Sequence, residues 1–381
     1  MNRRQAITLL SSGAGVALVD ALRGHVPLFA QPGGWFAARS PKRPTFLKGS
    51  VIRTIVKDIP VESLPNGAVQ FHEHLRGTFS PTAPPPPNSD MLPGVLTPKN
   101  EAEYLQLMVD ELKMARAEGV SCIVDAATGR RTERTVENLK QMSMRSDVHI
   151  VVAGGYYQDL AIPAKYPDDV LKMSDSALVD HLTADARAQR WGAFGEIASS
   201  QTMQPEERKL LRAIALAHNR TNLPVFTHTP HQSCPSCALE QLDVLEQEGV
   251  DPANVCIGHL TAIRPDAEPL AQTAKALAKR GAFLGFDTVG HPMGRSAIPE
   301  AHKVKYLLAV LEAGYEDHVL LSADSTPDAQ FKANWGQGYG SVVTQFVPKL
   351  RYAGVNDALL HKILVDNPRR LLACVPKECN C

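Results

Sequence analysis

Apolar and polar positions follow two rhythms along this chain. Short apolar runs, rich in β-branched and aromatic residues, recur eight times, at residues 68–72, 122–125, 149–153, 193–196, 223–228, 255–259, 282–286 and 318–324. Between them, segments such as 101–118, 206–219, 238–248, 268–280 and 302–313 repeat their apolar residues at intervals of three and four. The first rhythm suits buried strands and the second suits amphipathic helices. Eight strand–helix alternations predict a parallel-stranded (β/α)₈ TIM barrel rather than a sandwich or a bundle. The span from about residue 67 to about residue 330 is close to the roughly 250 residues such a barrel needs. An open doubly wound sheet is the alternative, but no G-x-G-x-x-G follows an early strand to support it.

The flanks add detail. Residues 49–60 are β-branched and read as a short N-terminal β-hairpin extension, and residues 341–372 carry two further helical patterns, C-terminal helices expected over the barrel exterior. Residues 76–98 contain Pro81, Pro84 through Pro87, Pro93 and Pro98, so an irregular loop must follow the first strand. Such loops belong to the functional face of a barrel. Arg3-Arg4 precedes a weakly apolar segment running to Ala30 and resembles a twin-arginine export signal, with Asn2 and Ala6 departing from the usual pattern. The expected organisation is an export signal (1–30), a linker (31–48), a barrel domain (49–373) and a cysteine-containing tail (374–381), in a periplasmic protein. Basic and acidic residues balance at 40 each, which leaves no cationic excess to release counterions and so no reason to expect a nucleic-acid partner. No run approaches ~20 uninterrupted apolar residues, so no membrane span is expected after the signal. The expected partner is a small-molecule substrate, and a homodimer is compatible with it.

Candidate chemistry sits at the strand ends. His72 and His74 are two apart on one strand, so both imidazoles project to the same side. Glu196, His228, His259 and Asp324 each close or nearly close a later strand. Glu196 to His228 is 32 residues, His228 to His259 is 31, and His259 to Asp324 is 65, about twice that spacing. One βα unit of the barrel takes about 31 residues. The six therefore recur at one level, around the C-terminal mouth. Four imidazoles and two carboxylates suit two divalent transition-metal ions (Zn, Co, Mn, Ni or Fe) rather than Ca or Mg. Six ligands exceed what one tetrahedral ion takes, whereas a pair about 3.5–4 Å apart would hold a hydroxide and polarise the scissile bond. Asp324 is the candidate catalytic group, taking the proton of the attacking water and delivering it to the leaving group.

The motifs Phe71-His-Glu-His-Leu75, Gly195-Glu-Ile197, Phe226-Thr-His-Thr229, Ile257-Gly-His-Leu260, Leu321-Ser-Ala-Asp324 and Leu364-Val-Asp-Asn-Pro-Arg-Arg370 together resemble the phosphotriesterase-like branch of the amidohydrolase superfamily. The resemblance covers about residues 49–373. It implies that His72, His74 and Asp324 hold a buried metal, and that His228 and His259 hold a more exposed one. Glu196 stands where phosphotriesterases and related lactonases carry a carboxylated lysine, which is similar to the phosphotriesterase-homology proteins with their bridging Glu. The implied reaction is hydrolysis of a lactone, carboxylic ester or phosphoester. The alternatives are an amidohydrolase acting on an amide or small peptide, and an exported barrel that only binds metal or ligand.

Other residues are candidates for substrate contact: Tyr156 or Tyr157 after the third strand, Arg264 after His259, Asp287 and His291 after the seventh strand, and Trp335 as an apolar wall or lid. Pro230 between His228 and His231 works against a regular pair. The remaining histidines (149, 181, 218, 302, 318 and 361) read as structural or exposed. Of seven cysteines, Cys122 and Cys256 fall in apolar runs and read as buried. Cys234-Pro-Ser-Cys237, Cys374, Cys379 and Cys381 could make disulfides, a redox pair or a zinc knuckle, and export favours disulfides.

Overall fold

A computed structural model of the chain describes residues 44–77, 98–158, 166–230, 234–264, 271–290, 298–325 and 330–377. The expected signal segment, most of the expected linker, residues 78–97 of the proline-rich loop, His231, His291, Cys379 and Cys381 lie outside the described residues. A hairpin of β1 (Val51–Arg53) and antiparallel β2 (Asp58–Pro60) comes first. Eight strands follow: β3 (Ala68–Glu73), β4 (Val120–Asp125), β5 (His149–Gly154), β6 (Trp191–Ala198), β7 (Val225–His228), β8 (Val255–Ile257), β9 (Phe283–Phe286) and β10 (Val319–Leu321). All pair in parallel, in sequence order. β10 meets β3 where Asp324 N donates to His72 O (3.2 Å) and the Ser322 hydroxyl bonds both backbone groups of His72. The predicted barrel is thereby closed, with all eight strands in their expected places.

Strand alternation explains the core. One parity of residues, including Val69, Phe71, Cys122, Val124, Val151, Ala153, Phe226, Cys256, Phe283 and Leu320, fills the barrel interior. The other parity, including Ile123, Ile150, Val152, Val225, Val255, Ile257, Leu284 and Val319, packs beneath the helices. Strands buried on both faces are apolar throughout, which is why the sequence shows continuous runs rather than alternation. Ile52 and Ile59 of the hairpin, with Leu371 and Leu372 of the last helix, join the interior cluster. The C-terminal helices thus do more than cover the exterior: Ile363 to Val365 pack outside, while Leu371 and Leu372 turn in among the interior residues. Cys374 also belongs to the fold, exchanging backbone hydrogen bonds with Val51 (2.8 and 3.0 Å). Among the described residues, no helix is long and apolar enough to cross a membrane.

Helix starts follow their capping signals. Asn100 accepts from Glu103 N (3.0 Å) at the start of Glu101–Ala117, and Thr132 accepts from Thr135 N (3.1 Å) before Glu133–Ser146. The buried Glu207 reaches back to Gln204 N (2.8 Å) and also binds Ser200 N (2.9 Å), tying the helix Pro205–Thr221 to the loop after β6.

Candidate metal centre

All six metal candidates converge at the C-terminal mouth. The register of β3 against β4 slips between Gln70 and Glu73, and that of β6 against β7 slips between Phe194 and Ile197. These irregularities fall where His72 and Glu196 must turn inward beside residues of the interior parity. Gly195 has φ +154°, and a Cβ there would meet the Phe226 ring at 2.4 Å, so only glycine allows Glu196 to be presented in this way.

Glu196 is the hub. Its Oε2 lies 3.0 Å from His72 Nε2, 3.6 Å from His259 Nε2 and 3.9 Å from His228 Nε2, while Oε1 lies 3.4 Å from His74 Nε2. Asp324 Oδ1 stands 3.1 Å from His74 Nε2 and 3.8 Å from His72 Nε2. Ligand atoms of His72, His74 and Asp324 lie within 4.8 Å of one another, and so do those of His72, Glu196 and His259. His72 Nε2 and Glu196 Oε2 are buried and close, yet among the described residues no hydrogen bond satisfies either atom. Buried polar atoms left in this way need a partner, and a cation between them would supply one. The donor set fits divalent transition metals.

The electrostatics point the same way. Burial by itself lowers the pKa of His72, but Glu196 and Asp287 override it and hold the imidazole well above its ordinary value. His259 is pushed up to about 10, burial being outweighed by Asp287 and Glu196. Burial would raise Glu196, but His72 and His228 hold its carboxylate well below the usual range. Cation-seeking carboxylates and imidazoles are thus concentrated in one dry pocket.

Asp287 departs from the expected role. It is fully buried and reaches no open space for substrate. Its Oδ2 bonds His72 Nδ1 and its Oδ1 bonds His259 Nδ1, each at 3.0 Å, and it accepts from His259 N at 2.9 Å. One carboxylate therefore orients two imidazoles so that both present Nε2 to the centre. Tyr156 is also corrected: its hydroxyl is 2.6 Å from His181 Nε2 and its ring is in the outer core. Tyr157 is the one that enters the site, its hydroxyl 3.1 Å from His228 Nε2. Trp335 is 86% exposed and forms no wall, whereas Tyr339 of the same Gly-rich segment is buried and donates to His74 O (2.8 Å). Arg264 is exposed after β8. His218 and His318 bind backbone carbonyls through Nδ1 (2.7 and 3.0 Å), as structural histidines do. Cys234 and Cys237 form a disulfide beyond β7, and Cys122, Cys256 and Cys374 are buried thiols.

Glu73, between the two histidines, carried no expectation from sequence. It is fully buried, and its Oε1 accepts from Ser322 Oγ (2.7 Å) and Ala323 N (2.8 Å) while its Oε2 accepts from Ser325 N (2.7 Å). Burial pushes its carboxyl up to about 7, against the three donated bonds. Its only sequence signal is strand parity: a residue between two inward-facing ligands faces the other way.

Comparisons with known proteins agree with this geometry. A profile described as the Phosphotriesterase family matches residues 56–372. A phosphotriesterase homology protein of Escherichia coli (strain K12) is 30% identical over 261 residues, covering 68% of this chain and 85% of that protein. An N-acetyltaurine hydrolase of Bos taurus is 27% identical over 334 residues, covering 80% and 93%. A crystal structure of a resiniferatoxin-binding protein from Rhodobacter sphaeroides superposes with a TM-score of 0.69 at 28% identity, covering 88% of this chain and 98% of that one. With its closed barrel and the motifs at its mouth, the chain belongs to the phosphotriesterase family.

Proposed function

We propose that this chain is a binuclear-metal hydrolase that attacks an ester-type bond of a small molecule. The observation that carries the reading is the placement of Glu196, whose two oxygens face different histidines: Oε1 faces His74, and Oε2 faces His72, His228 and His259. A carboxylate so placed is suited to bridging two cations. His72, His74 and Asp324 would hold one ion, and His228 and His259 the other. Two such ions lower the pKa of water and polarise the scissile bond. Asp324 Oδ1, at the mouth beside His74, is placed to take the proton of the attacking water and return it to the leaving group. The Tyr157 hydroxyl, beside His228, is placed to orient the substrate.

A second reading, cleavage of an N-acyl amide, is favoured by relatives named N-acetyltaurine hydrolase that align over most of this chain. Metal analysis combined with a panel of lactones, aryl esters, phosphoesters and acyl amides tests both. About two ions per chain with metal-dependent turnover of an ester supports the first reading. Turnover confined to amides moves the assignment to the second, and turnover of neither class overturns both.

A further inference from the structure

Two of the candidate ligands occupy left-handed backbone, His259 at φ +58° and Asp324 at φ +51°. Residues other than glycine hold that conformation only where their surroundings impose it. For His259 the constraint is visible: Asp287 binds both its backbone N–H and its ring. For Asp324 the corresponding buried carboxylate is Glu73. It accepts the N–H of Ala323 through one oxygen and the N–H of Ser325 through the other, the two amides that bracket Asp324. The first oxygen also takes the Ser322 hydroxyl, which is bonded to both backbone groups of His72. A single side chain on β3 thus secures the turn at the end of β10 and the seam that closes the barrel.

We propose that Glu73 is a positioning residue whose carboxylate fixes the left-handed turn at Asp324 and so aims Oδ1 at the metal and the attacking water. This rests on the hydrolase reading for its catalytic part only. An acceptor at each oxygen is required by the donor pattern: the Ala323 N–H points at one and the Ser325 N–H at the other, and the single hydrogen of the Ser322 hydroxyl is shared between Glu73 and His72 O. Glutamine keeps the length and shape but replaces one acceptor with an NH₂ facing a backbone N–H.

The test is Glu73→Gln, read in three ways. In metal-free protein, hydrogen exchange at the Ala323 and Ser325 amides should quicken at least about tenfold, while amides of β5 and β7 stay protected. Loss of bound zinc to a chelator should quicken roughly 10- to 100-fold, as for outer-shell partners of metal ligands. For whichever substrate is turned over, kcat should fall with KM changed little. If Glu73→Gln does not fold, Ser322→Ala removes the hydroxyl shared between Glu73 and His72 and should give the same changes in smaller measure. Wild-type protection of the two amides together with wild-type zinc retention, even in a less stable variant, would overturn the proposal. If the parent protein hydrolyses nothing, the hydrolase reading fails, while the exchange and zinc measurements still decide the role of Glu73.

Discussion

At the scale of single residues, the centre depends on side chains that cannot substitute for one another. His72→Ala removes an imidazole that faces Glu196, Asp287 and Asp324 at once, and Asp324→Asn removes the carboxylate proposed to take the proton. Either change should abolish hydrolysis with the far-UV circular dichroism of the barrel retained, and near-normal kcat in either would show the site to be misassigned. Glu196 carries its carboxylate without needing CO₂, so metal reconstitution should be insensitive to bicarbonate. On the binuclear reading, Glu196→Gln should weaken both metals, because the proposed bridging charge between two repelling cations is lost. Full double occupancy in that variant would mean that another group bridges. Asp287→Asn leaves both imidazoles in place but with weaker orientation and less basic Nε2 atoms. Metal affinity should fall about 10- to 100-fold, measured by competition with a chelating dye.

At the scale of elements, strand ends do the positioning, and small residues set how closely they approach. Gly258 precedes His259 at the end of β8, and a Cβ there would lie 2.3 Å from Thr227 O and 2.9 Å from Asp287 Oδ2. Gly258→Ala must therefore push β8 from β7 or displace the carboxylate that orients His259. The expected cost is about 1–3 kcal/mol of stability, typical of overpacking, with faster metal loss at the His228–His259 side. An unchanged melting temperature and unchanged metal retention would show that the strands give way freely. Beyond β7, the helix Pro235–Gln247 starts at the Cys234–Cys237 disulfide and carries the buried Gln241. Gln241 donates to His228 O (2.8 Å) and to Ser199 Oγ (2.8 Å), so one helix steadies the ends of both β6 and β7.

At the scale of the whole molecule, eight βα units around one mouth let six candidate ligands from five different strands reach a single centre. The plug of hairpin and terminal-helix residues seals the interior cluster, which keeps water out below the metal candidates. The export reading belongs to this scale too: we propose that Arg3-Arg4 opens a twin-arginine signal, a route that carries proteins already folded. Replacing Arg3 and Arg4 by lysine should leave precursor in the cytoplasm, as judged by fractionation, and unchanged export would leave only a general secretory signal.

Much of this was legible in the sequence because it is periodic. Burial on both faces makes each strand a continuous apolar run, and the βα repeat of about 31 residues puts strand-end ligands in phase. The barrel and the convergence of His72, His74, Glu196, His228, His259 and Asp324 could therefore be read from spacing. Their surroundings could not. Whether Tyr156 or Tyr157 enters the mouth depends on how the chain leaves β5, and two adjacent tyrosines look alike in sequence. Asp287 read as a loop residue open to substrate because only the fold shows that His72, more than 200 residues earlier, closes over its far oxygen. For Glu73, strand parity could say only that it faces away from the two histidines: its partners Ser322, Ala323 and Ser325 become neighbours only when the last strand meets the first. Local pattern determined which residues stand at strand ends. Closure of the barrel, which joins the two ends of the strand sequence, decided which carboxylates face the candidate metal centre and which hold its histidines and turns in place.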